Sequence, residues 1–186
     1  MQYDWQLLAS LMFIGNATKR LNVLDFGGAL GTTYRQNKKF LDLIRIEKKW
    51  AIIDQKKFIE IGKSEFENDS LCFFEKISDI NHEIDVTLFG SSLCYLEKPY
   101  ETLKDIIELN SKYIIINRTP FTSSFDEFIS IQHVPKNIYN ASYPFWTLSK
   151  PKLINYLSPK YKLLEEWSDP LQAYPDESFG LLFRMA

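Results

Sequence analysis

The residues best arranged for chemistry are Asp25, Gly27, Gly28 and Gly31. They close the apolar run Val23-Leu24-Asp25-Phe26-Gly27-Gly28-Ala29-Leu30-Gly31, which leads into an amphipathic stretch. Glycines let a backbone bend tightly and approach a ligand with no Cβ in the way, and a helix start offers unpaired N–H groups. A second apolar run, 50–53, ends in Asp54. That acid falls roughly 20-odd residues beyond the glycine turn, where a carboxylate meets ribose hydroxyls in nucleotide-binding folds. The joint spacing favours a nucleotide-like ligand. A purely structural glycine turn and a strand-end aspartate that solvates a loop are the competing readings.

Such a site needs a scaffold that gathers strand ends. Short apolar runs at 21–26, 50–53, 71–74, 85–89, 113–116, 161–165 and 179–183 alternate with amphipathic stretches. This predicts an α/β, Rossmann-like fold, with a mostly parallel seven-stranded sheet and helices on both faces. Leu96, Tyr100, Leu103 and Ile107 share one helix face, and 32–46 reads as another helix. Ser149 is an expected N-cap with Pro151 in the first turn, and Asp4 an expected cap for an N-terminal helix within 1–16. The last two runs are joined by a polar segment with no helix, so antiparallel neighbours are expected there. Residues 120–148 interrupt the alternation and concentrate Phe121, Phe125, Phe128, Tyr139, Tyr143, Phe145 and Trp146. They read as a partly ordered aromatic insertion within one domain spanning 1–186.

The 22 basic and 24 acidic side chains leave a formal net charge of −2, which provides no global field for nucleic acid. No apolar run approaches the roughly 20 residues of a membrane span, and the first residues carry no basic leader, so a cytoplasmic protein is expected. Cys72 and Cys94 form no CxxC pair, and the two histidines show no metal-ligand spacing. Reduced core thiols and no obligatory metal are the expectation.

The stretch DFGGALG resembles the first motif, DxGxGxG, of the class I methyltransferases that use S-adenosylmethionine (SAM). Gly27 and Gly31 match, Ala29 stands at the usual middle glycine, and Gly28 is an extra one beside it. WAIIDQKKFIEIGKSEF is similar to the family's second motif, IDVTLFGSSLCYLEKPYETLKDI to its fourth-strand motif and KYIIINRTPF to its fifth strand. The resemblance implies strand order 3-2-1-4-5-7-6 with an antiparallel terminal strand, and SAM as cofactor. VLDFGGALGTTYRQNKKFL, SSLCYLEKPYETL, IIINRTPF and NASYPFWTLSKPKLINYL more specifically resemble a group of bacterial methyltransferases associated with surface-polysaccharide gene clusters. Members of that group usually carry a further segment before the DWQLLASLMFIG helix, at which this chain almost begins.

That resemblance implies a small-molecule or glycan-precursor acceptor with a hydroxyl as the methylated group. On the donor side it implies Asp25, Gly27, Gly28, Gly31, Asp54, Gln55, Ser91 and Ser92, with Glu75 or Asp79 near the adenine. On the acceptor side the candidates are Tyr34, Tyr95, Arg118, Tyr139, Tyr143 and Trp146. The aromatics are suited to stacking on sugar and Arg118 to an acidic sugar or phosphate. His133 is the candidate base, since its titration range suits removal of a hydroxyl proton. Core packing, an ion pair and an ordinary loop histidine are the respective alternatives. Two other functions stay open: a catalytically inactive SAM-binding scaffold, and a nucleotide-dependent oxidoreductase, which the DxGG order disfavours.

Overall fold

The computed structural model describes residues 3–134, 137, 140–168 and 178–186. Helix α1 (Trp5–Thr18) begins where the Asp4 carboxylate accepts the Leu7 N–H at 2.9 Å, and it ends at Lys19 in the left-handed region. Strands β1 (Arg20–Phe26), β2 (Glu47–Ile53), β3 (Leu71–Phe74), β4 (Val86–Gly90) and β5 (Tyr113–Thr122) follow. Between them lie α2 (Thr32–Leu41), α3 (Lys56–Glu65) and α4 (Pro99–Glu108). The chain continues through β6 (Phe128–His133), β7 (Ser142–Ser149), α5 (Lys150–Leu157), β8 (Tyr161–Ser168) and β9 (Ser178–Met185). As expected, Ser149 caps α5, its Oγ accepting the Lys152 N–H.

Strands β3-β2-β1-β4-β5 pair in parallel, and β9 then pairs antiparallel with both β5 and β8. This is the expected Rossmann-like order with its antiparallel terminal strand. Strands covered on both faces are apolar throughout, which explains the continuous runs. One face packs Val23, Trp50, Ile52 and Leu88 against Leu7, Leu11 and Ile14 of α1 and Ile59 of α3. The other packs Leu24, Phe89, Ile114 and Ile116 against Leu103 and Ile106 of α4 and Leu153 and Leu157 of α5.

The strand count differs from seven. Among the described residues nine strands join one sheet, because 128–133 and 142–149 add a hairpin to it. In it β6 pairs antiparallel with β7, whose end pairs in parallel with the end of β5 at Phe121–Leu148 and Thr122–Ser149. Its strands are half exposed and β7 contains Pro144, so they lack the continuous apolar signature of the central strands. Pro144 lies outside the β5 pairing and costs no ladder bond on that side. Among the described residues no helix is long and apolar enough to cross a membrane.

Candidate functional site

The C-terminal ends of β1, β2 and β4 surround a cleft of about 470 Å³, lined by Phe26, Gly27, Ile53, Asp54, Gln55, Ser91, Ser92, Tyr95 and Leu96. Open parallel sheets place ligands at this edge, and the volume lies in the range of small-molecule pockets. Gly27 sits at φ +75 and donates its N–H to the Ile53 carbonyl at 2.7 Å. A Cβ there would lie 2.5 Å from that of Ser92, so the close approach of the two loops requires glycine. Gly31, at φ +74, opens α2 and donates to the Gly28 carbonyl.

Asp54 locks this turn to the end of β2. One carboxylate oxygen accepts the Ala29 N–H at 2.8 Å and the other the Gln55 N–H at 2.7 Å. A carboxylate offers about four acceptor positions, so capacity remains for hydroxyl donors in the cleft. Ala29 takes φ +49 to make its bond. Across the cleft, Ser91 adopts φ +65 and donates its N–H to the Asn117 carbonyl at 2.9 Å. The Ser92 hydroxyl donates to the Phe26 carbonyl.

Asp25 lies beneath the turn, 1 % exposed, and accepts the Trp50 Nε1–H at 3.0 Å. Burial pushes its carboxyl up to about 7; the Trp50 bond and the Arg118 charge oppose that rise, and the neighbouring Asp54 adds to it. Gly28 faces this acid, since a Cβ would come within 2.7 Å of the Asp25 carboxyl carbon. The extra glycine makes room for a buried acid and does not line the cleft.

A second hollow of about 350 Å³ adjoins the first and shares Tyr95 and Leu96 with it. Its further lining is Cys94, Glu97, Ile129, Pro144, Phe145 and Trp146. The hairpin docks here, with the Trp146 Nε1–H donating to the Leu96 carbonyl at 3.1 Å and the Tyr95 hydroxyl to Gln132 at 2.9 Å. Tyr143 stands edge-on to Tyr95, their centroids 5.5 Å apart. Tyr95, Tyr143 and Trp146 are therefore brought together where the hairpin docks.

Two expected acceptor-side residues are placed elsewhere. Tyr34 is 4 % exposed and packs on Trp50 between α2 and the sheet; its helix turns that face inward, making it a core residue. His133 is exposed at the end of β6. Strand alternation puts it on the face of Ile129, but four residues further along β6, and it lines neither this cleft nor the hollow that Ile129 helps to wall. Glu75 and Asp79 are exposed after β3 and also do not line it. Tyr139 lies outside the described residues. Arg118 is half-buried at φ +49 beside Asn117. Among the described residues no group of three or more His, Cys, Asp or Glu side chains is arranged to hold a metal, and Cys72 and Cys94 are not joined in a disulfide.

Sequence reasoning missed Asn117 and its bond to Asp4, which it read only as a helix cap. Asn117 is 1 % exposed and donates from Nδ2 to Asp4 Oδ2 at 2.8 Å. The available signal was a polar residue closing the apolar run Tyr-Ile-Ile-Ile. Leu96 and Ile53 in the cleft wall carried no such signal.

No protein-family model matches the chain, and no curated protein matches it in sequence. Solved structures do match. The glycopeptide N-methyltransferase MtfA complexed with sinefungin superimposes at TM-score 0.66 and 10% identity, over 96% of this chain and 85% of that one. The N-terminal domain of EvdMO1, solved in the presence of S-adenosylhomocysteine and D-fucose, matches at 0.63 and 12% identity, over 100% and 85%. The 1,6-didemethyltoxoflavin-N1-methyltransferase of Burkholderia thailandensis, with S-adenosylhomocysteine bound, matches at 0.61 and 14% identity, over 98% and 80%. The fold is thus that of the class I SAM-dependent methyltransferases.

Proposed function

We propose that the chain is a SAM-dependent methyltransferase acting on a hydroxyl of a carbohydrate or surface-polysaccharide precursor. The observation that carries the donor half is the cleft at the ends of β1, β2 and β4, where Asp54 is fixed by two backbone N–H groups and retains acceptor capacity. SAM, when bound, would supply an electrophilic methyl on its sulfonium: the acceptor oxygen would take the methyl by in-line displacement, S-adenosylhomocysteine would be the leaving group, and the hydroxyl proton would be lost to water. Asp54 orients the ribose through its remaining acceptor positions, while Gly27, Gln55, Ser91 and Ser92 shape the walls around the donor. Gly31 sets the turn into α2, and Asp25 contributes negative potential beneath the turn when ionised. Tyr95 stands between the two hollows, braced edge-on by Tyr143, and Phe145 and Trp146 wall the second, where a sugar face stacks and water is excluded.

The acceptor half rests on the sequence resemblance and on this aromatic wall, supported by one fold neighbour having been solved in the presence of D-fucose. Calorimetric titration with S-adenosylhomocysteine and NAD tests the donor: binding of NAD alone favours an oxidoreductase. A labelled-methyl screen over nucleotide sugars, lipid-linked glycans, small amines and proteins tests the acceptor. Transfer only to an amine or a protein overturns the carbohydrate assignment, and S-adenosylhomocysteine binding with no turnover favours an inactive scaffold.

A further inference from the structure

Arg118 lies where β5 breaks step. The pairing of β5 with β9 shifts register between Ile116 and Thr119, and Arg118 absorbs the shift at φ +49. A long side chain rarely adopts that left-handed conformation, and such positions concentrate at ligand-binding sites. Two other segments hold the irregularity in place. The Asn117 carbonyl accepts the Ser91 N–H, and the Asn117 side chain donates to Asp4, whose other oxygen caps α1. The loop after β4, the N-terminus of α1 and β5 therefore fix the backbone from which Arg118 projects.

The guanidinium is not satisfied there. Its Nε is sealed from solvent and has no hydrogen-bond partner, and among the described residues no carboxylate forms an ion pair with it. Only Nε is sealed, so the donors that an incoming anion could meet are the terminal nitrogens, for which the described residues supply no carboxylate. Asp4 is committed to Asn117 and the α1 cap, and Asp25 to Trp50. Arg118 directly follows Asn117, whose carbonyl holds Ser91 of the cleft wall, so its backbone stands at the rim of the donor cleft.

We propose that Arg118 is the anion-recognising residue of this site, taking a carboxylate or phosphate through the planar fork of its guanidinium. This deepens the donor-cleft reading above and rests on it. The anion has two sources with shared chemistry: the amino-acid end of the donor, or an acidic group on the acceptor.

Calorimetry on the full chain separates them. S-adenosylhomocysteine carries the carboxylate and 5′-methylthioadenosine lacks it, so Arg118→Met should weaken the first by about tenfold or more and spare the second if the donor supplies the anion. If the acceptor supplies it, both ligands bind the variant normally. Inorganic phosphate or acetate, titrated against the protein saturated with S-adenosylhomocysteine, then binds the parent and not Arg118→Met. Arg118→Lys should restore part of either effect, and thermal unfolding confirms that each variant is folded. Unchanged affinities for S-adenosylhomocysteine, phosphate and acetate in folded Arg118→Met overturn the proposal. A parent protein that binds neither adenosyl ligand overturns the donor reading instead, and phosphate and acetate titrated against the free protein still decide whether Arg118 holds an anion.

Discussion

Each end of the parallel sheet buries an aspartate on or beside its strands, Asp85 at one and Asp25 at the other, and the two are treated oppositely. At the N-terminal end, Asp85 is 0 % exposed and receives Arg20 Nε at 3.0 Å, Lys112 Nζ at 3.2 Å and the Asn22 N–H at 3.2 Å. At the C-terminal end, Asp25 is 1 % exposed and receives an indole N–H, and among the described residues no cation forms an ion pair with it. The backbone follows the same division. Gly27, Ala29, Gly31, Ser91 and Arg118 all have positive φ at the C-terminal end, whereas Lys19 and Asn110 adopt it only to stop helices α1 and α4. One end commits its polar groups to holding strands and helices together. The other keeps strained turns and underused charge where a ligand can complete them.

The largest expected effect tests this contrast through pH. An unfolded aspartate ionises near pH 3.9, whereas buried Asp25 keeps its proton to about 7. Between those values the folded state holds the extra proton. The stability linked to Asp25 is therefore complete below about pH 4, declines as pH rises and is gone above about pH 7, a change of up to about 4 kcal/mol. Asp25→Asn should remove that slope, measured by urea unfolding at pH 4.5 and 7.5. An unaltered slope would make the two carboxylates equivalent and break the comparison.

Asp85→Asn is the matching substitution at the other end. It discharges an acid on which two cations converge, but Arg20 and Lys112 are 32% and 52% exposed in their side chains and can turn to water. The cost should therefore fall below that of breaking a wholly buried pair, at about 2–3 kcal/mol, or a melting temperature lower by roughly 5–10 °C. Affinity for S-adenosylhomocysteine should not change. Weakened binding in the folded variant would mean that the two ends are coupled.

Asp54→Ala sharpens the contrast from the site's side. Loss of a charged acceptor should weaken S-adenosylhomocysteine binding by about tenfold to a hundredfold while the protein stays folded. Equal affinity would remove the proposed ribose contact. This residue was legible in the sequence because its partners are local in pattern: a strand end, a glycine turn and a fixed separation. The central strands were legible for a related reason, since burial on both faces leaves only apolar residues along them. Strands β6 and β7 were not, because each has an exposed face and borrows its order from docking Trp146 and Tyr95. The Asp4–Asn117 bond was also hidden, as it joins residues 113 apart through a bulge that no residue spacing encodes. Asp85 reads in sequence as part of a strand; only the fold discloses that it ties Arg20 to Lys112.

The smallest expected effect concerns His133, the residue whose chemistry looked most catalytic in the sequence. Its imidazole suits removal of a hydroxyl proton only if it can reach the acceptor, and geometry precedes titration in choosing a base. His133 lies at the end of β6, four residues beyond Ile129 of the second hollow, where it is exposed and lines neither hollow. His133→Ala should therefore change stability by no more than about 0.5 kcal/mol and leave single-turnover methyl transfer at the parental rate. A large fall in that rate with unchanged S-adenosylhomocysteine affinity would show that the hairpin repacks when the acceptor binds. The wall of the second hollow would then be a moving part, and the division between a committed and an uncommitted end would have to extend to β6 and β7.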